Sequence, residues 1–276
     1  MSNITIIIPV HEFTKDTEVL LVDAIKSVGE GKEIIISTVG SIATDIFNLV
    51  HDNDLSNGVT IITDDTIEEP KSDFATLVNF GVNNVNTDWF SILEFDDTYT
   101  NIWWKNVDKY IEYMPSCSAF LPLTELTEFG TNKFIGYGNE APWATSFSNE
   151  VGYIDNDCLQ EYFDFYLTGG VFNTKDWKNA GGLKPSMKLT FWYEFLLRLT
   201  NLNKKIYIIP KLGYKHYLNR PSSLYAIYND TISEKEGNWW YELSRQEYFF
   251  KEDRNKTYNP IEEDDENVNI NYGDRE

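Results

Sequence analysis

Three carboxylate side chains follow an apolar segment in the first third of the sequence, where Leu93-Glu94-Phe95-Asp96-Asp97 comes directly after Trp89-Phe90-Ser91-Ile92. Carboxylates this close together repel one another unless a cation lies among them. A strand through residues 89–95 would place Glu94 and Asp96 on the same side, because side chains alternate along a strand. Mn²⁺ and Mg²⁺ are commonly bound by one or two carboxylates plus substrate phosphates. The pattern therefore predicts a site for Mn²⁺ or Mg²⁺ and a diphosphate; alternatively, Asp96 and Asp97 only begin a turn or cap a helix over residues 101–112.

The elements that must position this group alternate between strands and helices. Apolar, β-branched runs predict strands over residues 4–8, 33–36, 59–62 and 89–95, and apolar residues at helical spacing predict helices over 17–28, 42–50 and 73–85. This alternation is typical of βαβ units and a mainly parallel sheet, whose ligands bind beyond the carboxyl ends of the strands. Those ends are predicted at residues 9–12, 37–40, 63–65 and 94–97.

The second half of the chain is less regular. We predict strands over residues 118–123 and 205–209, a loop over 130–157, and helices over 186–202 and 232–253. The predicted organisation is one domain over residues 1–228, with halves at 1–115 and 116–228, followed by a C-terminal helix and acidic tail over 229–276. Like charges in that tail favour solvation, or contact with a protein partner or a second copy of this chain.

The charge balance and the cysteine count limit the class of protein. The 276 residues include 23 Lys and Arg against 44 Asp and Glu, a net charge of −21. So acidic a protein repels phosphate backbones and anionic lipids, so we expect no nucleic-acid partner. No apolar run reaches the roughly 18–20 residues of a membrane span, and the N-terminal residues predict a strand and not a signal peptide. Two cysteines cannot form a disulfide framework, and we expect a cytoplasmic protein.

Several segments, taken in order, resemble the family 2 glycosyltransferases. The motif Asn79-Phe80-Gly81-Val82, followed by the segment that ends in Glu94-Phe95-Asp96-Asp97, is similar to the family's Asn-x-Gly helix and Leu-Asp-x-Asp-Asp strand end. Ile7-Ile8-Pro9-Val10-His11-Glu12 resembles its first strand. Gly169-Gly170, Gly181-Gly182-Leu183, Tyr214-Lys215-His216 and Arg220-Pro221-Ser222-Ser223 resemble its acceptor half and closing loop.

The resemblance covers about residues 3–225 and implies a GT-A-type fold, a Rossmann-like mixed sheet flanked by helices. It also implies transfer of a hexose from a UDP- or GDP-sugar to a carbohydrate or another hydroxyl acceptor. The residues implied in donor binding are Pro9, Val10, His11, Glu12, Thr38, Asp64, Asn79, Glu94 and Phe95. The metal ligands implied are Asp96, Glu94 and His216.

Two departures from the family pattern concern function. The family's Asp-Asp-Gly-Ser after the second strand is Thr38-Val39-Gly40-Ser41 here, which leaves the nucleotide base open. Phe191-Trp192 stand at the positions where the family has the carboxylates expected to supply the catalytic base. Glu194 and Glu140 are the candidate bases; alternatively, Glu194 pairs with Arg198 at i,i+4 and Glu140 is an ordinary loop residue.

Aromatic side chains offer a platform for a sugar acceptor. The candidates are Trp143, Trp192 and Tyr193, for each of which packing in the core is an equal alternative. Because the expected base is missing, the sequence also allows a catalytically silent relative that binds carbohydrate or acts as a structural assembly component.

Overall fold

The computed structural model describes residues 3–63, 74–144 and 150–249, and its strands form one mixed sheet. The strands are β1 (Ile4–Val10), β2 (Glu33–Thr38), β3 (Val59–Thr63), β4 (Trp89–Ile92), β5 (Thr98–Tyr99), β6 (Cys117–Glu128), β7 (Phe134–Gly138), β8 (Tyr153–Ile154), β9 (Val171–Asn173) and β10 (Lys205–Leu218). The helices are α1 (Lys15–Val28), α2 (Gly40–Asp52), α3 (Phe74–Asn83), α4 (Trp103–Tyr113), α5 (Asn156–Glu161), α6 (Thr174–Ala180), α7 (Phe191–Asn201), α8 (Leu224–Thr231) and α9 (Glu234–Phe249), with a 3₁₀ turn at Ala141–Trp143.

The sheet runs in the order β3-β2-β1-β4-β9-β6-β10-β5, with β7 added to β6 and β8 added to β10. The first four strands are parallel, as the alternation of strands and helices predicts. β9 is antiparallel between β4 and β6, whereas β10 is parallel to β6. The second half therefore makes the sheet mixed, and β7 and β8 lie in the region predicted to be a loop.

The central strand β1 is buried on both faces. Ile7 lies in one core with residues of α3 and α7, while Ile6 and Ile8 lie in a second core with residues of α1 and α2. An uninterrupted β-branched run forms such a strand because helices cover both faces of the sheet. The continuous apolar run of the sequence thus fixes the position of β1 at the middle of the domain.

Proline does not end the strands where the sequence predicts. β1 continues through Pro9, two residues beyond its last pair with β4, which joins Ile7 to Ile92. β10 likewise continues through Pro210, where its register against β6 shifts between Ile209 and Leu212.

The C-terminal helix belongs to the same domain as the sheet. The predicted boundary at residue 228 lies inside α8, and α9 packs against α7. Tyr248 of α9 donates a hydrogen bond to Glu194 of α7 at 2.8 Å. Of the predicted C-terminal extension over residues 229–276, the structure describes residues 229–249, and residues 250–276 lie outside the described residues. No helix in the described ranges is both long enough and apolar enough to cross a membrane.

The close contact between α3 and β1 depends on Gly81. A Cβ atom at this position would lie 2.6 Å from Cγ2 of Ile7, which is a buried side chain. We therefore expect Gly81→Ala to lower the free energy of unfolding by about 1–3 kcal/mol, the usual range for overpacking. Chemical denaturation monitored by circular dichroism measures this change.

Gly237→Ala is the matched control, because Gly237 also lies in a helix but a Cβ there would meet nothing within 4 Å. Alanine should leave stability unchanged or raise it by up to about 1 kcal/mol. Equal effects of the two substitutions would contradict the packing inferred at Gly81.

Candidate functional site

The acidic segment after β4 is a turn and not the end of a strand. β4 ends at Ile92, and the N–H of Asp97 donates to the carbonyl oxygen of Glu94 at 3.1 Å. The predicted pairing of Glu94 with Asp96 across one side of a strand is therefore wrong, because strand alternation does not apply in a turn. The turn instead directs Glu94 and Asp97 toward His216, and Asp96 toward Arg220.

Glu94, Asp97 and His216 form a compact group that we call the acidic cluster. Each contributes one potential ligand atom, and these atoms lie within 4.8 Å of one another. Nδ1 of His216 lies 2.6 Å from Oδ2 of Asp97, and the N–H of Tyr217 donates to Oδ1 of Asp97 at 2.8 Å. β10 carries His216 to this position, because β10 pairs with β5, the strand that directly follows the turn.

Burial and mutual repulsion make the acidic cluster attractive to a cation. Burial and the neighbouring charge of Asp97 raise the pKa of Glu94 to about 8. Burial alone would lower the pKa of His216, but the carboxylates of Asp97, Glu94 and Asp96 outweigh it and raise this pKa to about 10. The cluster therefore retains protons near neutral pH, where isolated carboxyl groups are ionised.

Asp96 belongs to a second group, around Arg220. This arginine is only 4% exposed, and its Nε donates to Oδ2 of Asp96 at 2.6 Å. Its Nη1 bonds to Glu12 and donates to Oγ of Ser222 at 2.7 Å, and its guanidinium lies 5.0 Å from the centre of the Phe95 ring. Arg220 is thus the cation that balances Asp96 and Glu12.

The acidic cluster fits the divalent cation predicted from the sequence. Two carboxylates and one imidazole are a donor set that suits Mn²⁺, and Mg²⁺ less well because it prefers oxygen ligands. Asp97 takes the place in this set that the sequence assigned to Asp96, whose Oδ2 is engaged by Arg220.

Residues at the carboxyl ends of β1 and β2 divide into buried and accessible groups. Pro9, Val10 and Thr38 are buried, and Oγ1 of Thr38 donates to the carbonyl oxygen of Val10 at 2.8 Å. Phe95 is also buried. Asp64 lies outside the described residues. The side chains at this edge that retain accessible surface are those of His11 and Glu12.

His11 is a neutral side chain with unused hydrogen-bonding capacity. Burial lowers its pKa to about 4, outweighing the opposing charge of Glu12. Its Nε2 is buried and has no hydrogen-bond partner among the described residues. Buried polar atoms usually have a hydrogen-bond partner, so His11 has bonding capacity that the described residues do not use.

Asn79 is fully engaged within the protein. Its Nδ2 donates to the carbonyl oxygen of Leu183 at 2.7 Å, and its Oδ1 accepts from the N–H of Leu183 at 2.9 Å. Both ends of the amide thus join α3 to the Gly181-Gly182-Leu183 segment. Asn79 thus has a positioning contact, and the donor contact that the resemblance implies for it stays a prediction.

The two candidate bases have different surroundings. Glu194 is 1% exposed and accepts hydrogen bonds from Arg198 at 3.1 and 2.6 Å and from Tyr248 at 2.8 Å, while Nζ of Lys184 lies 2.8 Å away. Both of its carboxylate oxygens thus have protein partners. This agrees with the alternative in which Glu194 pairs with Arg198 and is not the base. Glu140 is exposed and precedes the 3₁₀ turn.

The three aromatic candidates pack within the protein. Trp143 donates from Nε1 to the carbonyl oxygen of Ile208 at 3.2 Å, and Tyr193 is buried and donates to the carbonyl oxygen of Leu159 at 2.7 Å. Trp192 is half-buried against Phe74 and Phe191. These contacts favour core packing over an acceptor platform.

The structure adds Tyr166 to the surroundings of the acidic cluster. Its ring lies 5.4 Å from the His216 ring. Its backbone is held by buried Asn139, which donates from Nδ2 to the carbonyl oxygen of Tyr166 at 2.8 Å and accepts from its N–H at 2.9 Å. Asn139 has a φ of 67°, a conformation that asparagine tolerates better than most residues. No spacing rule in the sequence connects residues 139, 166 and 216.

Solved structures with the same arrangement of strands and helices identify the fold. Residues 1–349 of S. aureus TarS in complex with UDP-GlcNAc match 90% of this chain at 13% identity, with a TM-score of 0.65. The same fragment in complex with UDP matches 90% of this chain at 14% identity, with a TM-score of 0.58. The similarity confirms a single α/β domain of the GT-A type.

The match covers only part of these solved TarS chains. It spans 66% of the fragment solved with UDP-GlcNAc and 38% of a longer TarS chain. No protein-family model matches the sequence, and no curated protein matches it.

Glu194 and Glu140 should differ in their effect on stability. We expect Glu194→Gln to lower the free energy of unfolding by about 2–4 kcal/mol, because it leaves Arg198 and Lys184 without a buried counter-charge. Denaturant titration of the two variants measures this difference. Glu140→Gln should change stability by less than about 0.5 kcal/mol, and a similarly small effect at Glu194 would show that its ion pairs contribute little.

His11 should make the protein sensitive to acid. Its folded-state pKa of about 4 lies below the usual 6.5, so the stability it contributes is complete above pH 6.5 and is lost as the pH falls toward 4. We expect the free energy of unfolding of His11→Gln to fall less than that of the wild type over this interval, by up to about 3 kcal/mol. Parallel pH–stability curves for the two proteins would contradict a buried neutral imidazole.

Proposed function

We propose that this protein transfers a sugar from a nucleoside diphosphate sugar to a hydroxyl acceptor with the help of a divalent cation. The observation that carries the proposal is the acidic cluster directly after β4 in a GT-A-type sheet. Ligands of such sheets bind beyond the carboxyl ends of the parallel strands, where this cluster lies. The resemblance of the sequence to family 2 glycosyltransferases supports the same reaction.

UDP-sugars are the first donors to consider. The TarS fragment has been solved with UDP-GlcNAc and with UDP, and both structures share the fold of this chain. GDP-sugars remain a second class, because Thr38-Val39-Gly40-Ser41 lacks the carboxylate that the family places after the second strand. Nε2 of His11 is a candidate for contact with the nucleotide, since it is buried at this edge without a described partner.

Glu94, Asp97 and His216 would hold the cation, and Mn²⁺ suits this donor set best. The cation would offset negative charge on the leaving diphosphate. Arg220 adds a second positive charge beside the cluster and would orient the same diphosphate after exchanging a carboxylate partner for it. A strongly acidic protein needs such cations at the site to bind an anionic donor.

A catalytically silent relative that binds carbohydrate or serves in assembly is the second candidate function. Phe191-Trp192 stand where the family has carboxylates, and Glu194 is occupied by ion pairs. Hydrolysis of UDP-GlcNAc, UDP-glucose and GDP-mannose in the presence of Mn²⁺ separates the two candidates, since a silent relative would release no nucleotide.

Both cysteines are buried and unpaired, which is usual for a reducing compartment. We therefore propose that transfer takes place in the cytoplasm.

Calorimetric titration with UDP, with and without Mn²⁺, tests the cation site. We expect Mn²⁺ to raise the affinity of the wild type for UDP at least about tenfold, and Glu94→Gln to lose this increase because it removes one charged ligand. His216→Gln should have the same effect. Thermal melting of each variant would confirm that the fold is retained.

His51→Gln is the matched control, because His51 is exposed on α2, where its described contacts are with Asp52 and Phe47. It should bind UDP as the wild type does. Equal UDP affinity with and without Mn²⁺ in the wild type would overturn the cation site.

A further inference from the structure

One row of residues across three strands shares a face of the sheet with His216. His216 of β10 pairs with Leu126 of β6, and Leu126 pairs with Gly136 of β7. Paired residues on neighbouring strands direct their side chains to the same face of a sheet. Neighbouring strands are about 5 Å apart, so Gly136 lies about 10 Å from the backbone of His216 on this face.

Tyr166 covers the adjacent row of the same face. A Cβ atom at Gly138 would lie 2.5 Å from Cδ2 of Tyr166 and 3.5 Å from Cβ of Thr124, with which Gly138 pairs. The Tyr166 ring also lies 5.4 Å from the His216 ring. Glycine at position 138 therefore admits the Tyr166 ring, which borders the row that begins at His216.

The row beside Tyr166 is open at Gly136. A Cβ atom at this position would meet no described atom within 4 Å, and the φ of Gly136 lies outside the left-handed region. Neither a close contact nor the backbone conformation thus explains a glycine here. A glycine inside a strand often marks the place where a ligand approaches the backbone.

We call the surface formed by Leu126, Gly136 and Tyr166 the glycine shelf, and it suits a neutral sugar ring. All three residues are half-buried. Leu126 and the Tyr166 ring offer apolar surface to the C–H groups of a sugar. The Tyr166 hydroxyl has no hydrogen-bond partner within residues 3–63, 74–144 and 150–249 and can bond a sugar hydroxyl. The net charge of −21 disfavours an anionic ligand.

The glycine shelf and the donor edge lie on opposite sides of the acidic cluster. In the sheet, β1 and β2 lie on one side of β4, whereas β6 and β10 lie on the other, and β7 is added to β6. The acidic cluster joins the turn after β4 to β10. A nucleoside diphosphate beyond β1 and β2 therefore leaves the side of β6 and β7 to the acceptor.

Exposed aromatic rings on the opposite face of β7 are the alternative surface. Phe134 and Tyr137 are both exposed, and their ring centres lie 4.9 Å apart. Tyr137 pairs with Glu125, and Glu125 pairs with Lys215, so this row lies on the face away from His216. A sugar bound there would be separated from the acidic cluster by the sheet.

We propose that the glycine shelf binds a neutral saccharide as the acceptor, an assignment that rests on the proposed function. One sugar ring lies across Leu126 and Gly136 and against Tyr166. The hydroxyl group that receives the transferred sugar is directed along the row toward His216 and the acidic cluster.

Gly136→Phe tests the glycine shelf, because a side chain at this position meets open space and no backbone strain. Ligand-observed NMR titrations with saturating UDP and Mn²⁺ measure the binding of methyl β-glucoside, methyl β-galactoside and methyl β-N-acetylglucosaminide. We expect the wild type to bind at least one of them, and Gly136→Phe to weaken that binding at least about tenfold because the phenyl ring fills the shelf. Gly136→Ala should have a smaller effect. In both variants the affinity for UDP, measured by calorimetry, should stay within about twofold of the wild type, because the donor edge is distant.

Tyr137→Ala is the matched control on the opposite face of the same strand, and it should bind the glycosides as the wild type does. Wild-type affinity in Gly136→Phe, or a loss in Tyr137→Ala instead, overturns the glycine shelf and leaves the transferase function intact. A wild type that hydrolyses UDP-GlcNAc but binds none of the three glycosides does the same. Glycoside binding that Gly136→Phe abolishes, in a protein that hydrolyses no donor, overturns the transferase function and the acceptor role but retains a saccharide site on the shelf.

Discussion

The need to balance buried negative charge organises the candidate site. Glu94, Asp96 and Asp97 are three carboxylates within four positions after β4. A fourth carboxylate, that of Glu12 after β1, contacts the same arginine as Asp96. Desolvated carboxylates are unstable unless cations or hydrogen-bond donors compensate them. In the described structure, His216 and Arg220 provide that compensation from β10 and the loop that follows it. The same requirement explains why a divalent cation fits the group.

The topology of the sheet supplies these cations from a distant part of the chain. His216 and Asp97 are 119 positions apart in sequence, yet Nδ1 and Oδ2 lie 2.6 Å apart. β10 reaches the turn after β4 because it continues through Pro210 and pairs with β5. Gly169 contributes to the same approach, since a Cβ at this position, where φ is 77°, would overlap the Tyr214 ring. The Tyr214 hydroxyl in turn accepts the N–H of Glu94 at 3.0 Å.

Residues that the resemblance associates with function serve in part as structural links. Asn79 joins α3 to the segment before α7 through two hydrogen bonds with Leu183. Glu194 joins α7 to α9 through Tyr248 and carries two further ion pairs. A buried carboxylate held by so many donors would lose them if it moved to accept a proton from a substrate. These contacts argue against Glu194 as the catalytic base.

The sequence by itself determined the parallel half of the sheet, because uninterrupted β-branched runs such as Ile6-Ile7-Ile8 are stable only between two layers of helices. It also located the acidic segment, since three carboxylates after an apolar strand are visible without a structure. The sequence could not show which residues Glu94, Asp96 and Asp97 contact. These residues lie in a turn, marked by the hydrogen bond from the N–H of Asp97 to the carbonyl oxygen of Glu94, so the alternation of a strand does not apply to them. Tertiary structure alone decided that Asp97 faces His216, that Asp96 faces Arg220, and that Tyr166 packs against His216. These contacts join residues far apart in the chain and depend on where β10 and the 163–170 segment pack.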